Sequence, residues 1–503
     1  MNDWIKTGIF GAVAGALIGA ALLTRPRTKD PEAFKEEGKP LFPAFTDPLA
    51  VKSMEVTEYD EIKGRPRPFK VELKNGAWVI PSHHDYPADA AERLKKTAGQ
   101  AIDLRKDSLR TDRASDHESL GVVDPLDQSA KGTKGRGKRI VLRDALGHVL
   151  ADFILGDEIK DREMRYVRLP GQKWVYAVKT KAEFSARFSD WIETDFLKIE
   201  THEIRRLRFD LYRVEEKTGG VVPVDQFLVE KGEDYKWKID GKDEANDAAV
   251  SDLTTALDKL AIVGVRPKPA GLTADLKVAK GAVLSFDTVV SLMERGFFLW
   301  LKARKQMVTY DVLQTMVEEQ ARRLKLPENV ELEVASNDGE FDVITEKGVV
   351  YTLRFGEVAA GEGEDLSAGK EEAPKDPKKK EKKEPAKGTE NRYVLITVRF
   401  DVKWVPPPKA DPRPERAEPS DPDPARDWDS YRALLEKRQR EDEEWEKRAE
   451  ETMKQRKEEW DRKVKDGEKA ALELNKRFGN WYYVISGESY AKLHVGRKEL
   501  MKK

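Results

Sequence analysis

The chain has no cysteine. That excludes disulfides, thiolate metal sites and cysteine nucleophiles, and it fits either side of a membrane, because an exported protein can simply avoid thiols. It also lacks net charge: 92 Lys and Arg against 93 Asp and Glu leave −1, so no bulk field draws it to nucleic acid or acidic lipid. Apolar residues are scarce. They make up 39% of the chain and charged residues 37%, against about 45–50% and about 25% in ordinary globular domains. The excess charge must sit in solvated segments. There is no G-x-S-x-G, no Ser/His/Asp order and no phosphate loop. What remains is 503 residues, enough for two or three domains, and one long uninterrupted apolar run.

That run is "GIFGAVAGALIGAALL", residues 8–23, inside 18 uncharged residues from Thr7 to Thr24. As a helix it spans about 27 Å, near the lower limit for a ~30 Å hydrocarbon core. Trp4 stands at the entry and Arg25, Arg27 and Lys29 at the exit. The run is long for a signal peptide and no clear A-x-A site follows, so the expectation is a retained transmembrane anchor over 1–24 rather than a cleaved leader. Gly11, Gly15 and Gly19 share one helix face, where small residues let two helices approach in lipid. The basic residues after the run argue for a cytoplasmic body and the usual arrangement of short-tailed anchors argues against. The expectation is a single-pass cell-membrane protein with its bulk outside the cytoplasm.

Beyond a Pro-rich linker (25–50), the chain repeats itself. "FKVELKNGAWVI" (69–80) matches "FLVEKGEDYKWKI" (227–239), each a strand, a polar turn and a Trp-bearing strand. Each is followed by an amphipathic helix. One (87–104) places Ala91, Leu94, Ala98 and Ile102 on one face; the other (245–260) places Ala249, Leu253, Ala256, Leu257 and Leu260. Then come hairpins at 139–157 and 340–357, turning at Leu146-Gly147 and Lys347-Gly348. "RYV" (165–167) leads to "WVYAV", and "RYV" (392–394) leads eventually to "WYYVI". Four elements in the same order predict an α+β protein of two tandem antiparallel-sheet-plus-helix repeat units. The first is expected over 51–200. The second is expected over 201–357, completed by 391–404 and 479–500.

The second unit is interrupted. Residues 358–390, with "KEEAPKDPKKKEKKEPAKG", are too charged to fold and read as a disordered insertion. "GFFLWL" (296–301) is too short to span a bilayer and reads as a buried strand or helix turn, and 309–326 reads as an amphipathic helix. A Pro-rich segment (405–424) precedes an almost pure helix former (425–478) with opposite charges at i, i+4. Both ends of that excursion must return to adjacent strands, so it predicts a long charged helix projecting as an arm. Trp428, Trp445 and Trp460 recur along it. Either the Pro-rich segment covers them or they are a partner surface.

The strand ending "GAWVI", then "YPADAAERLKKTAGQAIDL", "LGVVDP", "FILGD", "RYVRL" and "WVYAV" resemble domain of unknown function family 4340, well over residues 69–215. "SNDGEFDVITEKGVVYTLRFGE" is similar to extended versions of it. The resemblance implies a bacterial, membrane-anchored protein with a repeated α+β body, of a family often encoded beside ABC-type transport or gliding-motility-like components. It supplies no catalytic residue. The arm is a departure from the family pattern.

No chemistry stands out. His83-His84-Asp85 would send adjacent side chains to opposite sides of an extended segment, and Asp85 reads as a helix-start residue. His117, His148, His202 and His494 are isolated, and "GTKGRGK" (132–138) reads as a flexible loop. No catalytic residue, metal or cofactor is expected, and nucleic-acid binding is not. The expected partners are the bilayer and one or more proteins. The reading is a non-enzymatic accessory or scaffold subunit of an envelope complex. The alternatives are an envelope module that binds a ligand or polymer, and an enzyme whose site is assembled from distant residues.

Overall fold

The two glycine-centred hairpins each lie inside a nine-stranded antiparallel sheet in a computed structural model of the chain. The structure describes residues 3–23, 35–130, 132–160, 162–215, 217–279, 284–301, 306–310, 332–361, 366–368, 390–413 and 427–502, with a few positions between 312 and 324. The chain divides into two units at Glu193/Thr194, a few residues before the boundary expected at 200.

The first unit begins with helix α1 (Asp3–Leu23). Among the described residues no helix is long and apolar enough to cross a membrane. Several side chains of the uncharged run, and Thr24, Arg25, Arg27 and Lys29, lie outside the described residues. The helix expected at 1–24 is present as a helix, and its membrane crossing is not shown. The linker expected at 25–50 needs correction. From residue 35 onward the chain is docked: Leu41 and Phe45 are buried, Phe42 packs on Phe153, and Leu41 N donates to Leu104 O at 2.8 Å. Two aromatics and a leucine amid polar residues suffice to bury a segment that composition alone marks as a linker.

Its strands are β1 (Ser53–Asp60), β2 (Arg65–Lys74), β3 (Ala77–Ile80), β4 (Tyr86–Pro87), β5 (Ser108–Thr111), β6 (Lys138–Arg143), β7 (Val149–Ile159), β8 (Met164–Arg168) and β9 (Val175–Lys179). They lie in the order β4-β3-β2-β1-β6-β7-β8-β9-β5. Helix α2 (Ala91–Ile102) joins β4 to β5 and buries Leu94, Thr97, Ala98 and Ala101. It starts later than the sequence suggests. Tyr86-Pro87 pairs with β3 as an edge strand, so Asp85 does not cap the helix and instead meets Lys74 at 2.6 Å.

The second unit repeats that order. Its strands are β10 (Ile204–Val214), β11 (Val221–Lys231), β12 (Trp237–Ile239), β13 (Asp243–Glu244), β14 (Ile262–Pro267), β15 (Phe297–Leu301), β16 (Gln306–Val308), β17 (Val317–Glu318), β18 (Arg323–Leu324), β19 (Leu332–Ser336), β20 (Glu340–Thr345), β21 (Val349–Val358), β22 (Arg392–Phe400) and β23 (Trp481–Ile485). The large sheet runs β13-β12-β11-β10-β20-β21-β22-β23-β14, which is the first sheet's order strand for strand. Helix α3 (Asp247–Asp258), capped by Asn246, occupies the place of α2. "FFLWL" is a strand with Phe297, Leu299 and Leu301 buried, in a three-stranded sheet with β16 and β19. That sheet and helix α4 (Phe286–Glu294) contribute to a further core with Tyr393, Tyr482 and Val484. Most of the helix expected at 309–326 lies outside the described residues, and Val317–Glu318 pairs with Arg323–Leu324 as a short ladder instead. Most of the charged insertion 358–390 also lies outside them, although Leu366 within it is buried in that core.

The repeat extends to a detail the sequence comparison missed. β7 and β21 each carry a register shift, at Gly156-Asp157 and Gly356-Glu357. Each bulge receives another glycine turn: Asp157 N donates to Leu120 O (3.1 Å) and Glu357 N to Arg295 O (2.8 Å). A Cβ on Gly156 would sit 2.5 Å from Leu120 O, and one on Gly356 2.1 Å from Arg295 O. An arginine from the next strand closes each bulge, Arg165 on Gly156 O (2.8 Å) and Arg392 on Gly356 O (3.3 Å). These are the arginines of the two "RYV" motifs.

Candidate functional site

The arm is helix α5 (Trp428–Phe478), 51 residues long and started by Asp427, whose side chain accepts from Ser430 N at 3.1 Å. Its buried residues are Gly467, Ala471, Leu474 and Phe478, all in the last turns. Among the described residues nothing from Trp428 to Asp466 is fully buried, about 58 Å of helix at ~1.5 Å per residue. At the base, a Cβ on Gly467 would lie 2.2 Å from Lys347 O, so only glycine lets the helix meet the β20–β21 turn. Phe478 packs edge-on against Phe196 (5.3 Å), and Asn475 Oδ1 accepts from Val398 N (3.2 Å).

The Pro-rich segment runs back along the helix. Trp460 Nε1 donates to Val405 O (3.1 Å) and Arg456 Nη1 to Lys409 O (2.8 Å). Arg456 pairs with Asp411 (2.9 Å), Arg413 pairs with Asp442 (2.5 Å), and the Arg413 guanidinium lies 5.8 Å from the Trp445 ring centre. Residues 405–413 therefore cover Trp460 and part of Trp445. Trp428 is 60% exposed and leans on Tyr431. Among the described residues, Trp428 is the most exposed of the three tryptophans. Residues 414–426 lie outside the described residues.

A groove of about 450 Å³ opens at the arm's base, lined by Asp195, Lys198, Glu203, Lys347, Glu473 and Arg477 among others. Its charges are mixed and partly paired, Glu203 with Lys347 at 2.5 Å. Burial raises the pKa of Tyr351 in its wall, and Glu203 and Asp195 add to that.

A second cluster gathers distant residues. His494, which follows helix α6 (Gly487–Leu493), bonds Asp338 at 2.7 Å, and Tyr490 donates to the same carboxylate at 3.1 Å. Burial alone would raise the Asp338 pKa. The hydrogen bond and charge of His494, with Tyr490 and Arg392, outweigh it and hold the carboxyl below its ordinary range. The Tyr490 and His494 rings stack at 4.9 Å. Both groups on Asp338 come from one short stretch, so the cluster fastens α6 to the β19–β20 turn. Sequence reasoning had no way to find it, because 156 residues separate Asp338 from His494. Lys268 is also perturbed, its pKa pulled down to about 8 by burial first and Arg354 second, but it does not line the base groove.

Three of the histidines singled out from sequence sit in local contacts. His83 is 2% exposed, stacked 4.4 Å from Phe188 and bonded to Ser82. His148 is tied to Asp144 in its turn (3.0 Å), and His117 to Lys173 O (2.9 Å). Among the described residues no group of His, Asp and Glu is placed to hold a metal. The loop before β6 is not free. Arg136 donates to the carbonyls of Asp124 (3.1 Å), Asp127 (2.9 Å), Ala130 (2.9 Å) and Gly132 (3.2 Å), and stacks 4.1 Å from Tyr59. One half-buried fork of donors thus orders a Gly-rich stretch that reads as flexible. Gly11, Gly15 and Gly19 lie on α1, and among the described residues nothing comes within 4 Å of a Cβ on any of them.

A family model described as "Domain of unknown function (DUF4340)" matches residues 78–275. That is less than half of the chain. It begins at Trp78 in β3 and ends past β14, so it takes in most of the first unit and the opening of the second, and it stops short of the 336–357 stretch to which the motif resemblance extends. No curated protein and no solved structure matches the chain.

Proposed function

We propose that the chain is a non-enzymatic, membrane-anchored envelope protein, an accessory or scaffold subunit of a membrane complex. The single observation that carries this is the arm: about 58 Å of helix with no fully buried residue among the described residues, rooted at its base and braced by its own Pro-rich segment. Such a helix adds nothing to the core of the second unit, and its use lies in reach. Anchoring rests on the 17 uncharged residues from Thr7 to Leu23 within α1, and self-pairing through Gly11, Gly15 and Gly19 is part of the same proposal. Placement of the body outside the cytoplasm rests on the usual arrangement of short-tailed anchors, and association with ABC-type transport on the family resemblance.

The base groove favours a second reading, an envelope module that takes a small ligand or polymer. Saturable binding by the chain without its arm would favour it. The anchoring half of the proposal is tested by cell fractionation. The full chain is expected to stay in the membrane pellet after an alkaline carbonate wash, and a chain lacking residues 1–24 to appear in the supernatant. Release of the full chain by carbonate would refute the anchor.

A further inference from the structure

The contact between helix α5 and residues 405–413 has the features of peptide recognition rather than of core packing. The segment is "VPPPKADPR", with prolines that hold it extended before it meets anything. Two of its carbonyls, Val405 O and Lys409 O, accept from side chains of the helix, Trp460 Nε1 and Arg456 Nη1. Pro406 and Pro408 line a hollow of about 190 Å³ floored by Trp460. Farther out, Asp411 meets Arg456, and Arg413 meets Asp442 and the face of Trp445. The two elements run in register. Eight steps of polyproline helix cover ~25 Å at ~3.1 Å each. The fifteen steps from Trp460 to Trp445 cover ~22 Å of α-helix at ~1.5 Å each. An aromatic indole donating to the carbonyl of a proline-rich chain, beside a proline hollow, is the chemistry by which aromatic-lined grooves read polyproline segments.

The contacts are also releasable. Trp445 and Trp460 are half-buried, and the ion pairs are surface pairs, each weak in water. We propose that the Trp445–Trp460 side of α5 is a binding seat for extended proline-rich polypeptide, that residues 405–413 are its resident occupant, and that a partner protein's proline-rich segment takes the seat by displacing them. Charge sets the partner's chemistry. After the prolines it carries an acidic residue for Arg456 and, two positions on, a basic residue for Asp442. This rests on the scaffold reading of the arm and names the class of partner.

The test uses the full chain in detergent and a fluorescein-labelled peptide VPPPKADPR, read by anisotropy. In one variant, residues 405–413 are replaced by an equal length of Gly-Ser, which vacates the seat without shortening the chain. That variant is expected to bind the peptide saturably. The natural chain should bind it at least tenfold more weakly, because its own segment competes at high effective concentration. Adding Trp460→Ala and Arg456→Ala to the Gly-Ser variant should abolish binding. Trp460→Phe, which keeps a ring and loses only the donor, should weaken it at least threefold. A peptide with all four prolines replaced by serine should not bind. No saturable binding to the Gly-Ser variant, or binding untouched by the Trp460 changes, overturns the proposal. So does a Gly-Ser variant that dimerises with the natural chain but takes up no free peptide, since the occupant is then a second copy. A partner that still co-purifies through the arm in that case leaves the scaffold reading standing.

Discussion

Gly156 and Gly356 each allow two backbones to touch where a side chain cannot fit, and an arginine from the next strand completes each contact. Neither neighbour is a flexible tip that can swing away. Gly156→Ala is therefore expected to destabilise the first unit by about 2–4 kcal/mol in a denaturant titration. Gly99, inside α2 with open space around its Cβ, supplies the contrast: Gly99→Ala should stabilise by about 0.5–1 kcal/mol. Equal effects would mean that the bulge contact is not as drawn. A different residue holds the segment that follows α1. Glu36 takes hydrogen bonds from Lys106 and Lys39 at 2.7 Å each, and its pKa is lowered to about 2, Lys106 first. The folded value lies below the unfolded one. The contact's stabilisation is thus complete above about pH 4.5 and is lost as the pH falls toward 2. Hydrogen exchange at the amides of Gly38 and Leu41 should speed up over that window beyond the intrinsic pH effect. Unchanged protection would show that Glu36 is not the latch.

At the scale of elements, hairpins, paired helices and the long helix were legible because each carries its own periodicity. The hairpins show alternation around Gly147 and Gly348, and the helix shows i, i+4 charge pairs such as Arg432–Glu436. Other elements were not legible. β1 and β10 open the two repeats, but "SMEVTEYD" has too few apolar residues to announce a central strand. β5 and β14 are edge strands four and six residues long, placed by their partners rather than by their own pattern. The matching glycines at 121 and 296 were visible as letters, yet only the bulges they fill give them meaning. The cluster of Asp338, Tyr490 and His494 had no local signal at all. The loop around Arg136 shows the opposite error, in which composition suggested freedom and one side chain removed it. Arg136→Met should make the loop cleavable by trypsin at Lys131 or Lys134 at least tenfold faster than in the natural chain. Cleavage at the same rate would restore the flexible reading.

At the scale of the whole molecule, the two repeat units make the body and the insertions carry the proposed use. Two units share one strand order, and the second has been extended where β22 meets β23. The arm grows from that junction, and its last turns belong to the core through Ala471, Leu474 and Phe478. Removing residues 405–478 would therefore damage the fold as well as the arm. The informative deletion spares the base: residues 407–463 replaced by a short Gly-Ser link, which is feasible because Val405 already lies against Trp460. The measurement that tests the central claim most directly is co-purification from native membranes in mild detergent. It compares the natural chain, this trimmed chain and Gly15→Leu. The account predicts a membrane-protein partner that accompanies the natural chain and is lost on trimming the arm. A natural chain that emerges alone, or a partner held equally by the trimmed chain, would contradict it.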